Sequence, residues 1–204
     1  MITIIDYGVG NLFSLSHSLT HIGAEVVVTG DAEVIRQADH VILPGVGAFG
    51  DARQKLRDTG MDRLVLRKTA AGAPLLGICL GMQLLFEKSY EYGEHEGLGL
   101  LPGEVCPLKA DIPDSLKVPH IGWNGLHLRG ESPLLAAVQE GDSVYYVHSF
   151  YAKGAGDAVK AESEYGVMVP GLVQRGNVFG AQFHPEKSGP VGLKILKAYG
   201  EVTA

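Results

Sequence analysis

Apolar positions fall into two textures along this chain. Through the first hundred residues, short unbroken apolar runs alternate with segments whose apolar residues recur three and four apart. Beyond about Gly97, short alternating segments are broken by Gly and Pro. Runs buried on both faces with helix-period segments between them are what a parallel sheet with crossover helices requires. Residues 2–5, 25–28, 40–43 and 75–78 are therefore expected as strands. After the first of them, Asn11 stands where an N-cap belongs, Leu12, Leu15, Leu19 and Ile22 share one helical face, and Gly23 stands where a left-handed C-terminal residue is wanted. Residues 80–87 are expected as a helix, and 192–199, with Leu193, Leu196 and Tyr199 spaced for packing, as the last one. The alternating segments 118–128, 143–151, 158–163 and 167–182 suit antiparallel hairpins added to one side of the sheet. With no linker, repeat or low-complexity tract, the expected architecture is one α/β domain over residues 1–204: an open, mostly parallel sheet flanked by helices, with added antiparallel hairpins.

Composition narrows the classes of function. A chain of 204 residues is long enough to bury a full core. Seventeen Lys+Arg against twenty-three Asp+Glu give a formal charge of −6, which offers no electrostatic support for binding nucleic acid or an anionic membrane. Cys79 and Cys106 are too few and too far apart for a disulfide framework or a CxxC metal site, so a cytoplasmic, reducing setting is expected. Residues 69–86 carry no charge, long enough for a marginal membrane span. Gly72, Pro74, Gly77 and Gly81 instead break the segment into strand, turn and helix start. The N-terminus has no basic region and turns polar at Asp6, so it reads as a buried strand and not as a signal peptide.

The candidate chemistry begins at Gly77-Ile78-Cys79-Leu80-Gly81, which ends an apolar run and opens a helix-like segment. Gly-x-nucleophile-x-Gly is the spacing of a strand-to-helix elbow that lifts a nucleophile above a sheet, here a thiol. A free Cys is more often a small buried hydrophobe. Against that stands the downstream run Gln182-Phe183-His184-Pro185-Glu186, which supplies a base and a carboxylate to orient it. Residues 45–50 satisfy the letter of the dinucleotide fingerprint G-x-G-x-x-G, yet the stretch where its second strand and acid belong, 62–67, looks helical. A Gly-rich turn near a nucleophile is better used to aim N–H groups at an oxyanion, and the N–H of Leu80 is a donor by elbow geometry. His17 and His21 lie off the apolar face of their helix, as a solvated polar face would, and His120, His127 and His148 have no ligand spacing, so no metal site and no cofactor are expected.

The elbow followed by Met82-Gln83, together with His184-Pro185-Glu186, resembles the class I (triad) glutamine amidotransferase family. Within it, Asp6-Tyr7-Gly8-Val9-Gly10-Asn11, residues 44–50 and 97–103, Pro119-His120-Ile121-Gly122-Trp123-Asn124 and Glu186-Lys187-Ser188-Gly189 resemble the glutaminase subunits of imidazole glycerol phosphate synthases, so the likeness spans essentially the whole chain. The resemblance implies hydrolysis of glutamine to glutamate and ammonia by Cys79, His184 and Glu186. The ammonia would pass, within a heterodimer, to a (β/α)8 cyclase subunit that makes imidazole glycerol phosphate in histidine biosynthesis. It implies a second oxyanion donor at Val46, brought in by a peptide reorientation that depends on the partner, and hence a poor glutaminase when alone. It further implies substrate contacts at Gln83, otherwise an ordinary helix-surface amide, and along the backbone at Gly47, His148, Ser149 and Phe150. The family's frequent Tyr at Phe150 would have offered a hydroxyl that Phe lacks. Asn11, Trp123, Tyr145 and Lys187 are implied to face the partner, although a Gly-flanked Trp123 would also suit a core, and Lys187 calls for an acidic residue across the interface. The rival readings are an amidotransferase of another pathway (anthranilate, carbamoyl phosphate or guanylate synthesis), another thiol hydrolase, and a dinucleotide-binding protein.

Overall fold

Short aliphatic runs do form the centre of the molecule. The computed structural model describes residues 1–203. Strands β1 (Ile2–Ile5), β2 (Val26–Thr29), β3 (His40–Leu43) and β4 (Leu75–Ile78) lie parallel, joined through α1 (Leu12–His21), α2 (Ala32–Gln37) and the pair α3 (Phe49–Asp58) and α4 (Met61–Ala70). After β4 come α5 (Leu80–Gln83), β5 (Lys88–Ser89), β6 (His95–Glu96), β7 (Glu104–Pro107), β8 (His120–Gly125), β9 (His127–Leu128), β10 (Ser143–His148), β11 (Phe150–Lys153), β12 (Val159–Glu164), β13 (Met168–Arg175), β14 (Val178–Ala181) and α6 (Gly189–Gly200). The main sheet runs β2-β1-β3-β4-β14-β13-β12-β9, with β14 parallel to β4 and the last three strands antiparallel. This is the mostly parallel sheet with an antiparallel extension that the patterning predicts.

Alternation along the central strands divides the core into two layers. Ile2 and Ile4 of β1, Ile42 of β3, Leu76 and Ile78 of β4 and Phe179 of β14 pack toward α1 and α6, beside Leu15, Leu19, Ile195, Leu196 and Tyr199. Ile5, Val41, Leu43 and Leu75 point the other way, toward α2, α3 and α4 and the small second sheet. Helix α1 keeps its expected buried face, and Gly23 takes φ +83 as its N–H closes onto the Thr20 carbonyl at 2.9 Å. Asn11 occupies the N-cap position, but its side chain makes no capping bond.

Three local expectations change. The second strand starts one residue later than expected, at Val26. Helix α5 is a single turn rather than the whole of 80–87. The carbonyls of Leu84, Leu85, Phe86 and Glu87 are taken by N–H groups of residues 97–101, so the chain turns there and buries Leu84, Leu85 and Phe86 completely. An apolar run reads alike as buried helix or buried turn until its carbonyl partners are known. Finally, the segments 118–128 and 143–151 each divide in two and pair at long range: β8 with β10, and β11 with β7 in a four-stranded sheet ordered β11-β7-β5-β6. Only β12, β13 and β14 follow one another as hairpins on the main sheet.

Candidate active site

Cys79 stands where β4 ends and α5 begins. Its N–H still bonds to the Ala181 carbonyl at 2.7 Å as a last rung against β14, while its φ and ψ of +54 and −112 swing the side chain out of the sheet. A non-glycine residue held at such a φ costs on the order of 1–3 kcal/mol, and such outliers gather at functional sites. The elbow survives because its neighbours lack side chains. A Cβ on Gly81 would stand 1.9 Å from the Leu43 carbonyl oxygen, and one on Gly45 would stand 2.8 Å from the Gly81 N. The turn after β3 is thus wedged directly against the elbow.

His184 and Glu186 come from the turn that follows β14. The His184 N–H bonds to the Tyr145 carbonyl at 2.9 Å, and the Ser188 hydroxyl donates to the His184 carbonyl at 2.7 Å, which fixes the backbone of the turn. His184 Nδ1 meets Glu186 Oε1 at 2.8 Å, with both side chains almost fully buried. A carboxylate there puts the proton on Nδ1 and directs Nε2, which is buried and makes no regular hydrogen bond, at the Cys79 sulfur. Burial alone would lower the His184 pKa, but the Cys79 sulfur and the Glu186 carboxylate outweigh it and lift it to about 9. At neutral pH the ring is an imidazolium, the partner a thiolate needs. Gln182 Nε2 also approaches the sulfur, at 3.9 Å.

These groups open onto a cavity of about 320 Å³. Cys79, His184, Leu80, Val46, Gly47, Gln83, His148, Ser149 and Phe150 all line it, whereas Glu186 does not and reaches it only through His184. Gln83 is no surface amide: it is buried, and its Nε2 donates to the Phe150 carbonyl at 2.9 Å and to Gln182 Oε1 at 3.0 Å, leaving its own Oε1 for the cavity. His148 donates from Nδ1 to the same Phe150 carbonyl at 2.9 Å, and its Nε2 meets His120 Nδ1 at 3.0 Å. His120 Nε2 in turn meets Asn124 Oδ1 at 2.8 Å, and the Asn124 amide donates to the Glu164 carbonyl. Burial first, then the neighbouring His120, hold His148 down to about 3, so it is a neutral wall residue and not an acid.

One wall residue, Glu91, and one buried neighbour of the thiol, Gln182, carried no sequence-based role. Glu91 is buried at the cavity edge, its Oε2 accepts the Phe49 N–H at 2.7 Å at the start of α3, and burial raises its pKa. The short run Tyr90-Glu91-Tyr92-Gly93 gives little sign of this. Gln182 had a clearer signal, being the one amide in the otherwise apolar end of β14 and its continuation to Phe183.

The remaining candidates lie on the surface. Trp123 is 56% exposed, which removes the core reading, and it meets the Tyr145 ring edge-to-face at 5.9 Å. Lys187 Nζ stands 6.0 Å from the Tyr145 ring centre, and Lys187 makes no ion pair among the described residues. Asn11 opens α1, which packs against the Pro185–Lys187 turn. His17 and His21 are exposed on the polar face of α1, and Gly50 lies in the first turn of α3 with the His95 ring over it. Residues 62–67 are indeed helical, within α4, so no second strand completes a dinucleotide site.

A strained thiol served by a buried imidazole–carboxylate pair, on the rim of an α/β sheet, belongs to the class of thiol-dependent hydrolases. Sequence comparison narrows the class to one family. The glutamine amidotransferase class-I family model matches residues 3–199, and the chain belongs to that family. It is 53% identical over 199 residues to the imidazole glycerol phosphate synthase subunit HisH of Bacillus cereus (strain G9842), an alignment covering 98% of this chain and 93% of the relative. Its fold is shared with a solved glutamine amidotransferase at TM-score 0.75 and 20% identity, over 98% of this chain and all of that one. PurLQS from Thermotoga maritima shares the fold too, at TM-score 0.72 and 21% identity over 97% and 96% of the two chains.

Proposed function

We propose that this chain is the glutamine-hydrolysing subunit of an imidazole glycerol phosphate synthase in histidine biosynthesis, releasing ammonia for a cyclase subunit. The observation that carries the reading is the convergence of Cys79 with the His184–Glu186 pair on a cavity of about 320 Å³, a volume suited to an amino acid, in a chain 53% identical to a HisH subunit. The Cys79 thiolate attacks the side-chain amide carbon of glutamine. Charge on the carbonyl oxygen is met by the N–H of Leu80 at the start of α5 and by the N–H of Val46. His184 protonates the leaving nitrogen, ammonia departs, and a thioester remains. Neutral His184 then takes a proton from water as it attacks the thioester, and the sulfur leaves as thiolate, giving glutamate and restoring the thiolate–imidazolium pair. Glu186 holds the ring in the required tautomer throughout.

Substrate is held by Gln83 Oε1, by backbone at Gly47, Ser149 and Phe150, and by the Glu91 carboxylate on the α-ammonium group. With Phe at position 150 the wall offers carbonyl and amide, not a hydroxyl. Val46 sits half-exposed on the turn, and the peptide that carries its N–H makes no hydrogen bond at either end among the described residues, which leaves it free to rotate. One oxyanion donor is worth about 3 kcal/mol. A subunit in which that donor is engaged only by the cyclase releases little ammonia alone. Asn11, Trp123, Tyr145 and Lys187 form the face that meets the cyclase.

Cys79→Ala in the complex tests the reading: glutamine-dependent synthesis should be lost and synthesis from ammonium salts kept. Survival of glutamine-dependent turnover would sink it. The purified chain alone should hydrolyse glutamine far more slowly than the complex with its cyclase ligand bound.

A further inference from the structure

The turn that carries the Val46 N–H has a stem and a tip, and they are held very differently. At the stem, the Tyr7 hydroxyl donates to the Pro44 carbonyl at 2.8 Å, with Tyr7 only 4% exposed and its ring packed in the core layer that holds Phe49 and Leu80. A Cβ on Gly10 would stand 3.0 Å from the Pro44 Cβ, so the β1–α1 loop lies on the stem, while Gly45 is pressed against Gly81 and Leu80 from the elbow side. At the tip, Val46 is 45% exposed, and neither the Gly45 carbonyl nor the Val46 N–H takes a hydrogen bond among the described residues. One peptide is pinned from two sides and the next is free.

We propose that Tyr7 is a positioning residue of the glutaminase site: through the Pro44 carbonyl it fixes the stem of the turn, so that rotation is confined to the peptide carrying the Val46 N–H. The inference rests on the oxyanion role given to Val46 above. Its logic is that an oxyanion donor must arrive at one place, and a peptide swinging on a loose stem would arrive at many. The loop that carries Tyr7 is itself anchored, with the Gly8 N–H on Asp6 Oδ1 at 3.0 Å and Lys55 Nζ of α3 on the Gly8 carbonyl at 3.3 Å. It runs directly into Asn11 at the start of α1, on the face given to the cyclase. A push on Asn11 therefore acts on the same six-residue loop that holds the turn. The bland alternative is that the hydroxyl merely satisfies a buried carbonyl, as buried Tyr hydroxyls commonly do.

Tyr7→Phe keeps the ring and removes only the bond, and the assay is the complex with its cyclase. If Tyr7 positions the donor, kcat for glutamine falls about tenfold or more, KM stays within twofold, and both ammonia-dependent synthesis and the rate of Cys79 alkylation by iodoacetamide are unchanged. A purely structural hydroxyl would lower the unfolding temperature and leave kcat within twofold, and that result overturns the proposal. An equal fall in kcat and in alkylation overturns it as well, because the thiol rather than the donor has been disturbed. Should Tyr7→Phe not fold, Tyr7→Met decides, since a flexible apolar side chain fills the core without a hydroxyl: the same split supports the proposal and an unchanged kcat overturns it. Cys79→Ala, run alongside, separates the two levels, because glutamine turnover by that variant defeats the site assignment itself whatever Tyr7 does.

Discussion

His184 is the residue on which charge and burial disagree most sharply. Burial favours the neutral ring, the Cys79 sulfur and Glu186 favour the charged one, and the charged form prevails up to about pH 9. Because that value lies above the 6.5 of an unperturbed ring, the stability contributed by the charged ring is complete below about 6.5 and is lost as the pH rises through about 9. Ammonia release needs the same proton, so glutamine turnover in the complex should decline through about pH 9, and a rate still level at pH 10 would contradict the assignment. Glu186→Gln should lower the His184 pKa, read from its ring proton shifts, and reduce kcat by on the order of 10²–10⁴ through the wrong tautomer. At this scale the sequence was informative where a residue type announces its chemistry. Cys79, His184 and Glu186 are legible because each stands in a short motif with a mechanical reason. Glu91 was not, since its role comes from a fold that carries it back to the mouth of the cavity beside α3, and Gln83 became a wall residue only once Phe150 and Gln182 were seen to take its amide protons.

The elbow and the turn after β3 behave as a single element, although the whole of α3 and α4 separates them in the chain. Their contact is made by glycines, a Cβ on Gly81 falling only 1.9 Å from the Leu43 carbonyl oxygen. Gly81→Ala should therefore push β3 and α5 apart, destabilising the chain by about 1–3 kcal/mol in urea unfolding and lowering glutamine turnover with it. Equal stability of variant and parent would refute the close packing. The strands β1, β3 and β4 and helix α1 were legible because periodicity, an N-cap position and a terminal glycine agreed. The length of α5 was not, because Leu84, Leu85 and Phe86 are as apolar as a helix core while their carbonyls belong to residues 97–101. Nor was the pairing of β7 with β11, whose partners lie over forty residues apart and share no turn.

For the whole molecule, the parallel half of the architecture could be read from the alternation of runs and helical periods, while the small sheets depended on contacts that no local pattern encodes. Of the exposed group, Lys187 lies on the turn that supplies His184 and Glu186, and Tyr145, which meets Trp123 edge-to-face, accepts the His184 N–H, which ties the proposed partner face to the proposed catalytic base. In a chain of formal charge −6, a Lys187 that has no ion pair among the described residues and stands beside an aromatic pair is suited to an acidic group across the proposed interface. Lys187→Ala should weaken association with the cyclase severalfold in calorimetric titration, with the unfolding curve of the free subunit unchanged, and an unaltered titration would remove Lys187 from the interface. Strand β8 carries one more link between surface and cavity. From the Phe150 carbonyl through His148 and His120 to Asn124 there are three contacts, acceptors at both ends, and two rings that burial keeps neutral. Two neutral rings own two protons, so one contact of the three must always go without. With His148 Nδ1 committed to the Phe150 carbonyl and the Asn124 amide to Glu164, the choice falls to the tautomer of His120: it leaves bare either the join to Asn124 beside Trp123 or the join to His148 behind the cavity wall, so the two neighbours of His120 are never satisfied together.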